Sequence, residues 1–208
     1  MMSQKVNTFV LGIAGGTASG KTTLSQLLHK TFGEKYSTLI LLDSYYKDQS
    51  HLPFSEREKT NFDHPDAFEW TKLIDHIHSL RSGSSVAVPL YDFTRHTRSS
   101  ETSRAFPLPL IIVEGILTLH WPELRSSFDY TVFVDTPSSV RFERRLLRDT
   151  TERGRTTQSV RTQWNETVTP MHTTFCEPSR QFANQIVEGT SSFEPWISRF
   201  LSMRQFQD

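Results

Sequence analysis

Gly15-Gly16-Thr17-Ala18-Ser19-Gly20-Lys21-Thr22 spells G-x-x-x-x-G-K-[ST], the spacing of a phosphate-binding loop. Its glycines let the backbone turn tightly and present successive N–H groups to phosphate oxygens. A helix opening after Gly20 adds its positive N-terminal end to the same point. Lys21 is placed to reach the β- and γ-phosphates and Thr22 to offer its hydroxyl to Mg²⁺, with Thr23 closing the stretch. The implied ligand is a nucleoside triphosphate with Mg²⁺.

Three apolar runs each end in an acid: LILLD at Asp43, LIIVE at Glu114 and TVFVD at Asp135. In an open parallel sheet, ligands bind beyond the carboxyl ends of the strands, so all three acids are candidates to face the triphosphate. A phosphoryl-transfer site needs one acid for the metal environment and gains from a second as base near an attacking oxygen. Position alone does not allot these roles, and Asp135, followed by Thr-Pro-Ser, reads equally as a loop or cap residue.

A second cationic element lies downstream. From Arg141 to Arg155 there are six arginines against three acids, Glu143, Asp149 and Glu152. Helical spacing from Glu143 is broken at Gly154, which suggests a helix leading into a mobile arginine lid over about 148–157. Guanidinium groups suit a transferring phosphoryl, and closure excludes competing water. Arg148 and Arg153 are the candidates, whereas Arg144 reads as a solvated helix face. On the acceptor side, Asn61-Phe62-Asp63-His64 and Tyr91-Asp92-Phe93-Thr94-Arg95-His96 set aromatic beside polar groups. That mixture suits a flat, hydrogen-bonding ligand such as a base and sugar, although Phe62 and Phe93 read equally as core and His96 as a structural histidine.

The elements that must position these groups alternate. Thr8–Ile13, Thr38–Leu42, Leu110–Val113 and Thr131–Val134 read as buried strands; 20–32, Phe68–Arg81, Ser138–Asp149, Gln158–Cys176 and Phe193–Phe206 read as helices. Val86–Tyr91 and Arg98–Ala105 are expected to form an antiparallel hairpin. The pattern is that of an α/β fold, a mostly parallel sheet flanked by helices. The 208 residues suit a single domain (1–208). A net charge of zero gives no support for nucleic-acid or anionic-membrane binding. No apolar run approaches the roughly 18 residues of a membrane span, the N-terminus lacks the pattern of a signal peptide, and the lone Cys176 fits a reducing cytoplasm.

Across nearly its whole length the chain resembles the uridine kinase (uridine–cytidine kinase) family. The resemblance rests on GIAGGTASGKTT (12–23), LLDSYYKDQSHL (41–52), TNFDHPDAF (60–68), PLYDFTRHTR (89–98), VEGIL (113–117), FVDTP (133–137) and RRLLRDTTERGR (144–155), with the region of Gln163. It implies a P-loop nucleoside-kinase fold with a small β-hairpin at the acceptor site. It also implies phosphoryl transfer from ATP (or GTP) to the 5′-hydroxyl of uridine or cytidine. By the same resemblance Asp43 is the catalytic base, and Glu114 joins Thr22 in the Mg²⁺ environment. Asp63 holds the ribose 2′- and 3′-hydroxyls. Tyr45, Phe62, Tyr91, Phe93 and His96 form the base pocket; Arg145, Arg155 and Gln163 lie on the nucleoside side, and Arg148 and Arg153 clamp phosphate. Family members are typically cytoplasmic homotetramers, so a homo-oligomer is implied, with a small-molecule nucleoside as partner. The sequence departs from the family at Arg95, where a small or acidic residue is expected, and at Glu188-Gly189-Thr190, where Pro-Arg-Gly-Gly is expected. The rival expectations are a kinase of the same fold acting on pantothenate or a phosphosugar, or a nucleotide-binding switch without an acceptor.

Overall fold

The computed structural model describes residues 8–203. Five parallel strands, β1 (Phe9–Gly15), β2 (Ser37–Leu41), β5 (Leu110–Glu114), β6 (Tyr130–Asp135) and β7 (Gln185–Glu188), form one sheet in the order β2-β5-β1-β6-β7. Between β2 and β5 in sequence, β3 (Val86–Asp92) and β4 (Thr97–Ala105) pair antiparallel as a separate hairpin. The ladder is irregular between Pro89 and Tyr91, where proline has no N–H to donate. The helices are α1 (Lys21–Phe32), α2 (Phe54–Arg57), α3 (Trp70–Arg81), α4 (Pro122–Arg125), α5 (Ser138–Thr151), α6 (Thr157–Gln163), α7 (Thr169–Met171) and α8 (Glu194–Leu201).

The central strands are apolar throughout because both faces of the sheet are covered. Side chains alternate in β1: Val10 and Ala14 join one core with Ile111, Val113 and Phe133, while Leu11 and Ile13 join the other with Ile112, Val132 and Val134. On the first face α3 contributes Leu73, Ile77 and Leu80; on the second, α1 contributes Leu24 and Leu28. Each of these fully buried aliphatic side chains stabilises by roughly 1.5–3 kcal/mol. Parallel register sets the site. Ile13 of β1 and Leu41 of β2 both pair with Glu114 of β5, so the P-loop, Asp43 and Glu114 emerge together at the carboxyl ends of the strands.

Four differences from the sequence reading have local causes. The helix expected over Gln158–Cys176 is present as α6 and α7 but contains two π-type turns, Trp164–Val168 and His172–Cys176, and runs on as a 3-10 segment through Phe182. The π turns lie ahead of Pro170 and Pro178, whose rings clash with an ordinary α-helical carbonyl four residues back; the wider turn relieves that clash. The strand β7 was not anticipated, being four residues long with polar ends. The helix α5 stops at Thr151, ahead of Gly154, and Gly154 (φ 62°) turns the chain so that the Arg155 N–H reaches the Asp149 carbonyl at 3.0 Å. The terminal helix spans Glu194–Leu201, and positions 204–206 of its expected range lie outside the described residues.

Candidate active site

The loop from Gly15 to Gly20 carries its chain through left-handed backbone at Ala18 (φ 58°) and Gly20 (φ 99°) before α1 begins at Lys21. Lys21 is buried; Ser19 is wholly buried, and its Oγ has no partner. Glycine is favoured at Gly15, at φ 150°, where a Cβ would lie 2.7 Å from the Val134 backbone carbonyl oxygen. Thr22 donates its hydroxyl to both Glu114 carboxylate oxygens at 3.3 Å. Burial pushes the Glu114 carboxyl up to about 7, opposed by the Lys21 cation and reinforced by Asp43. Held beside the Thr22 hydroxyl, the Glu114 carboxylate makes an oxygen donor pair that fits Mg²⁺, whose charge would favour its ionised form. That ion is characteristically held by one or two protein oxygens together with substrate phosphates and water. Thr23 lies exposed on the first turn of α1.

After β2 the chain makes a 3-10 turn, Leu42–Tyr45. In this geometry residues three apart eclipse, so Leu42 and Tyr45 point into the core together, both at 0% exposure. The Tyr45 hydroxyl meets His76 Nδ1 at 2.9 Å, so Tyr45 is a core residue and not part of the expected base pocket. Its neighbour Tyr46, also buried, lies instead beside Asp43 and among the aromatic residues of the acceptor-side segments. Tyr46 donates to Asp43 Oδ1 at 3.5 Å, and its ring lies 5.0 Å from Phe62, 4.5 Å from Phe68 and 5.1 Å from Tyr91. Phe62 in turn stacks on His96 at 5.5 Å. The Tyr91 hydroxyl is buried without a partner, an orphan that a polar ligand atom can satisfy. Phe93 is half exposed beside Tyr91. His96, at φ 48°, closes a hairpin turn organised by Asp92 Oδ1, which accepts from the Thr94 and Arg95 N–H groups at 2.9 and 3.1 Å.

Asp63 joins the two halves. Burial raises its carboxyl; Arg145 and Lys21 oppose the rise, and Asp43 and Asp149 add to it. Arg145, buried, donates to Thr17 Oγ1 of the P-loop at 2.9 Å and to Gln163 Oε1 at 2.8 Å. Arg155 donates to the same Gln163 oxygen and to Ser159 Oγ. Asp63 also lines a small cavity together with Gly16 and Thr17 of the loop and Cys176. Arg145, Arg148, Arg153 and Arg155 all approach the carboxylate of Asp149, a residue the sequence reading counted only as charge. Arg144 is bonded as well as solvated, donating to the Gly189 carbonyl at 3.0 Å. Asp135 is occupied structurally, paired with Arg180 at 2.8 Å.

Residues 10–193 match the family model described as phosphoribulokinase/uridine kinase. The uridine kinase of Lactococcus lactis subsp. cremoris is 49% identical over 186 residues, covering 89% of this chain and 90% of that protein. The chain belongs to the phosphoribulokinase/uridine kinase family. A second relative within it, the uridine kinase of Deinococcus deserti, is 45% identical over 194 residues, 93% of this chain and 94% of that one. Phosphoribulokinase from Rhodobacter spheroides superposes with a TM-score of 0.65 at 13% identity, over 90% of this chain and 74% of that one. D-glycerate 3-kinase from Cryptococcus neoformans gives 0.64 at 18%, over 89% and 88%. At such low identity these two establish the P-loop kinase fold and nothing about the acceptor. Among the described residues no helix is long and apolar enough to cross a membrane.

Within the phosphoribulokinase/uridine kinase fold the departure at Glu188-Gly189-Thr190 keeps the residue that matters sterically. A Cβ at Gly189 would collide with the Ser19 carbonyl of the P-loop and the Thr136 hydroxyl. Behind the same loop His172 packs between Arg141 and Glu177, with Nε2 3.3 Å from Glu177. Burial and Arg141 push His172 down to about 4, against Glu177 and Asp135. The folded state therefore binds fewer protons than the unfolded chain between pH 6.5 and 4, and stability falls as pH drops through that window. Denaturant unfolding at pH 7 and pH 5 is expected to differ by roughly 2 kcal/mol from this group. His172→Gln should remove that part of the slope; an undiminished slope in the variant would assign the acid sensitivity elsewhere.

Proposed function

We propose that this chain transfers the γ-phosphoryl group of ATP (or GTP) to the 5′-hydroxyl of uridine or cytidine, giving UMP or CMP. The observation that carries this reading is Asp63. Its carboxyl lies within electrostatic reach of both Lys21 and Asp43, and it shares Arg145 with Thr17 of the P-loop. An acid suited to a ribose diol thus faces the phosphate cradle across a short gap. The relatives named uridine kinase, at 45–49% identity over most of the chain, support the same acceptor.

In this reading the ribose O5′ attacks the γ-phosphorus, the bond from phosphorus to the β-phosphate oxygen breaks, and Asp43 accepts the hydroxyl proton. Asp63 accepts hydrogen bonds from the ribose hydroxyls. Tyr91, with its unpartnered hydroxyl, and His96 face the base; Phe62, Tyr46 and Phe93 wall it in. Lys21, Arg148 and Arg153 lower the cost of charge on the transferring group. Thr22 and Glu114 would hold Mg²⁺, which supplies charge neutralisation on the phosphates. Closure of the arginine segment keeps water from competing as acceptor. The family likeness also supports a cytoplasmic homo-oligomer.

The test is ADP release in a coupled assay across uridine, cytidine, 2′-deoxyuridine, adenosine, pantothenate and a phosphosugar. Uridine or cytidine should exceed 2′-deoxyuridine and the non-nucleosides by at least about 10²-fold in kcat/KM, because a site built to bond hydroxyls rejects acceptors that leave its polar groups unpaired; adenosine, which keeps the ribose hydroxyls, should be disfavoured by the walls around the base. Turnover independent of any acceptor, or preference for pantothenate or the phosphosugar, refutes the reading.

A further inference from the structure

Asp149 stands apart from every other acid in the arginine-rich segment: its side chain is 0% exposed, and four guanidinium groups converge on it. Arg148 is closest, through Nη2 at 2.8 Å and Nε at 2.9 Å. Arg145 Nε lies at 3.3 Å, Arg153 Nε at 3.7 Å and Arg155 Nη1 at 3.9 Å. Four cations cannot be gathered this closely without an anion among them. Asp63 acts on Arg145 and Asp43 on Arg153 as well, but Asp149 is the acid in direct contact with all four, and the cluster lies beside a loop built for phosphate. We propose that Asp149 is a positioning residue, an internal stand-in for phosphate that holds the arginines at the cradle and yields two of them, Arg148 and Arg153, when a nucleotide arrives. This rests on the kinase reading above but not on the identity of the acceptor.

The four arms are not equivalent. Arg145 and Arg155 are pinned elsewhere, since both donate to Gln163 Oε1; Arg145 also holds Thr17 of the P-loop, and Arg155 holds Ser159. These two form a fixed frame. Among the described residues Arg148 and Arg153 have no ion-pair partner except Asp149, and they are the more open arms, at 31% and 46% exposure against 9% and 29%. Arg153 also leans over the Phe93 ring at 5.8 Å, across the acceptor site. The long 3.7 Å separation and the open flank leave Arg153 free to turn to a phosphate oxygen, and Arg148 can share its fork between carboxylate and phosphate. Asp149 therefore competes with the nucleotide in the ground state, while fixing where the arginines start from.

Asp149→Asn keeps the shape and removes the charge. The released arginines should bind ADP with Mg²⁺ roughly fivefold more tightly by calorimetry, with kcat down about tenfold or more, because binding gained in the ground state is not gained in the transition state. Asp149→Glu should bring ADP affinity back toward wild type. A residue that merely supports the fold would do the reverse, weakening ADP binding along with thermal stability; unchanged or weaker ADP binding in a folded Asn variant overturns the proposal. Should that variant not fold, the wild-type chain decides through the arginine Nε–H NMR signals, assigned with Arg148→Lys and Arg153→Lys. Added ADP should move Arg148 and Arg153 and leave Arg145 in place. Equal movement of all three, or none, refutes the exchange. These readouts need only the nucleotide, so failure to phosphorylate uridine would remove the proposed acceptor without deciding the role of Asp149.

Discussion

Asp43→Asn should leave ATP affinity within about twofold of wild type and lower kcat by roughly 10²-fold or more, the scale on which general-base loss acts. The residue stands two past Leu41, which pairs with Glu114 at the carboxyl end of the sheet, so it shares that end with the P-loop. Tyr46 donates to its Oδ1, leaving Oδ2 available to the attacking hydroxyl. The amide keeps the size and the Tyr46 contact but cannot accept a proton at neutral pH. The acceptor oxygen must then attack while still carrying its hydrogen, and the lost driving force appears in kcat rather than in binding. Fluorescent-nucleotide titration and steady-state kinetics with uridine separate the two. Near-normal turnover in a folded variant would take Asp43 out of the mechanism, whereas a parallel loss of nucleotide binding would make it a structural residue of the cradle.

Asp43 was legible in the sequence because a strand-end acid needs only its strand to be found. Tyr46 was not, for a reason of phase. In Asp43-Ser44-Tyr45-Tyr46 both tyrosines are buried, and only the 3-10 pitch of 42–45 turns Tyr45 with Leu42 toward His76 and leaves Tyr46 beside Asp43. The aromatic-rich segments around Phe62 and Tyr91 were recognisable as ligand-facing, but their contact with each other runs through Tyr46, which no spacing rule links to either.

Asp149 escaped for a different reason. One of three acids among six arginines looks in sequence like partial neutralisation of a solvated face. Arg145 and Arg153 reach it at i,i+4 spacing, but its burial among four arginines depends also on α5 ending at Thr151 and on Gly154 turning Arg155 back toward it. Helical periodicity carries a helix forward but does not announce that the chain doubles back. The fold itself was readable, since alternating buried strands and amphipathic helices leave few arrangements for a P-loop protein. The acceptor was not readable from fold: chains that superpose here include a phosphoribulokinase and a D-glycerate kinase. What distinguishes this site is the aromatic wall and Asp63, both carried on connections outside the central sheet, where kinases of one scaffold are free to differ.

Lys21→Ala is expected to lower kcat by roughly 10²–10³-fold, the cost of removing a preorganised charge from a transferring phosphoryl. A second consequence follows from its position. Lys21 is buried at the first residue of α1, and its cation opposes the upward push that burial exerts on Asp63. Without it the Asp63 carboxyl is harder to ionise, so the nucleoside KM should also rise. Lys21→Arg separates the two effects. It restores the charge and therefore the KM, but its planar fork does not reproduce the point contact of an ammonium, so kcat should stay low. Steady-state kinetics on both variants test this. Unchanged turnover in Lys21→Ala contradicts the phosphate cradle, while a fall in kcat with an unchanged nucleoside KM would show that Lys21 serves the phosphates alone and that Asp63 takes its ionisation from Arg145.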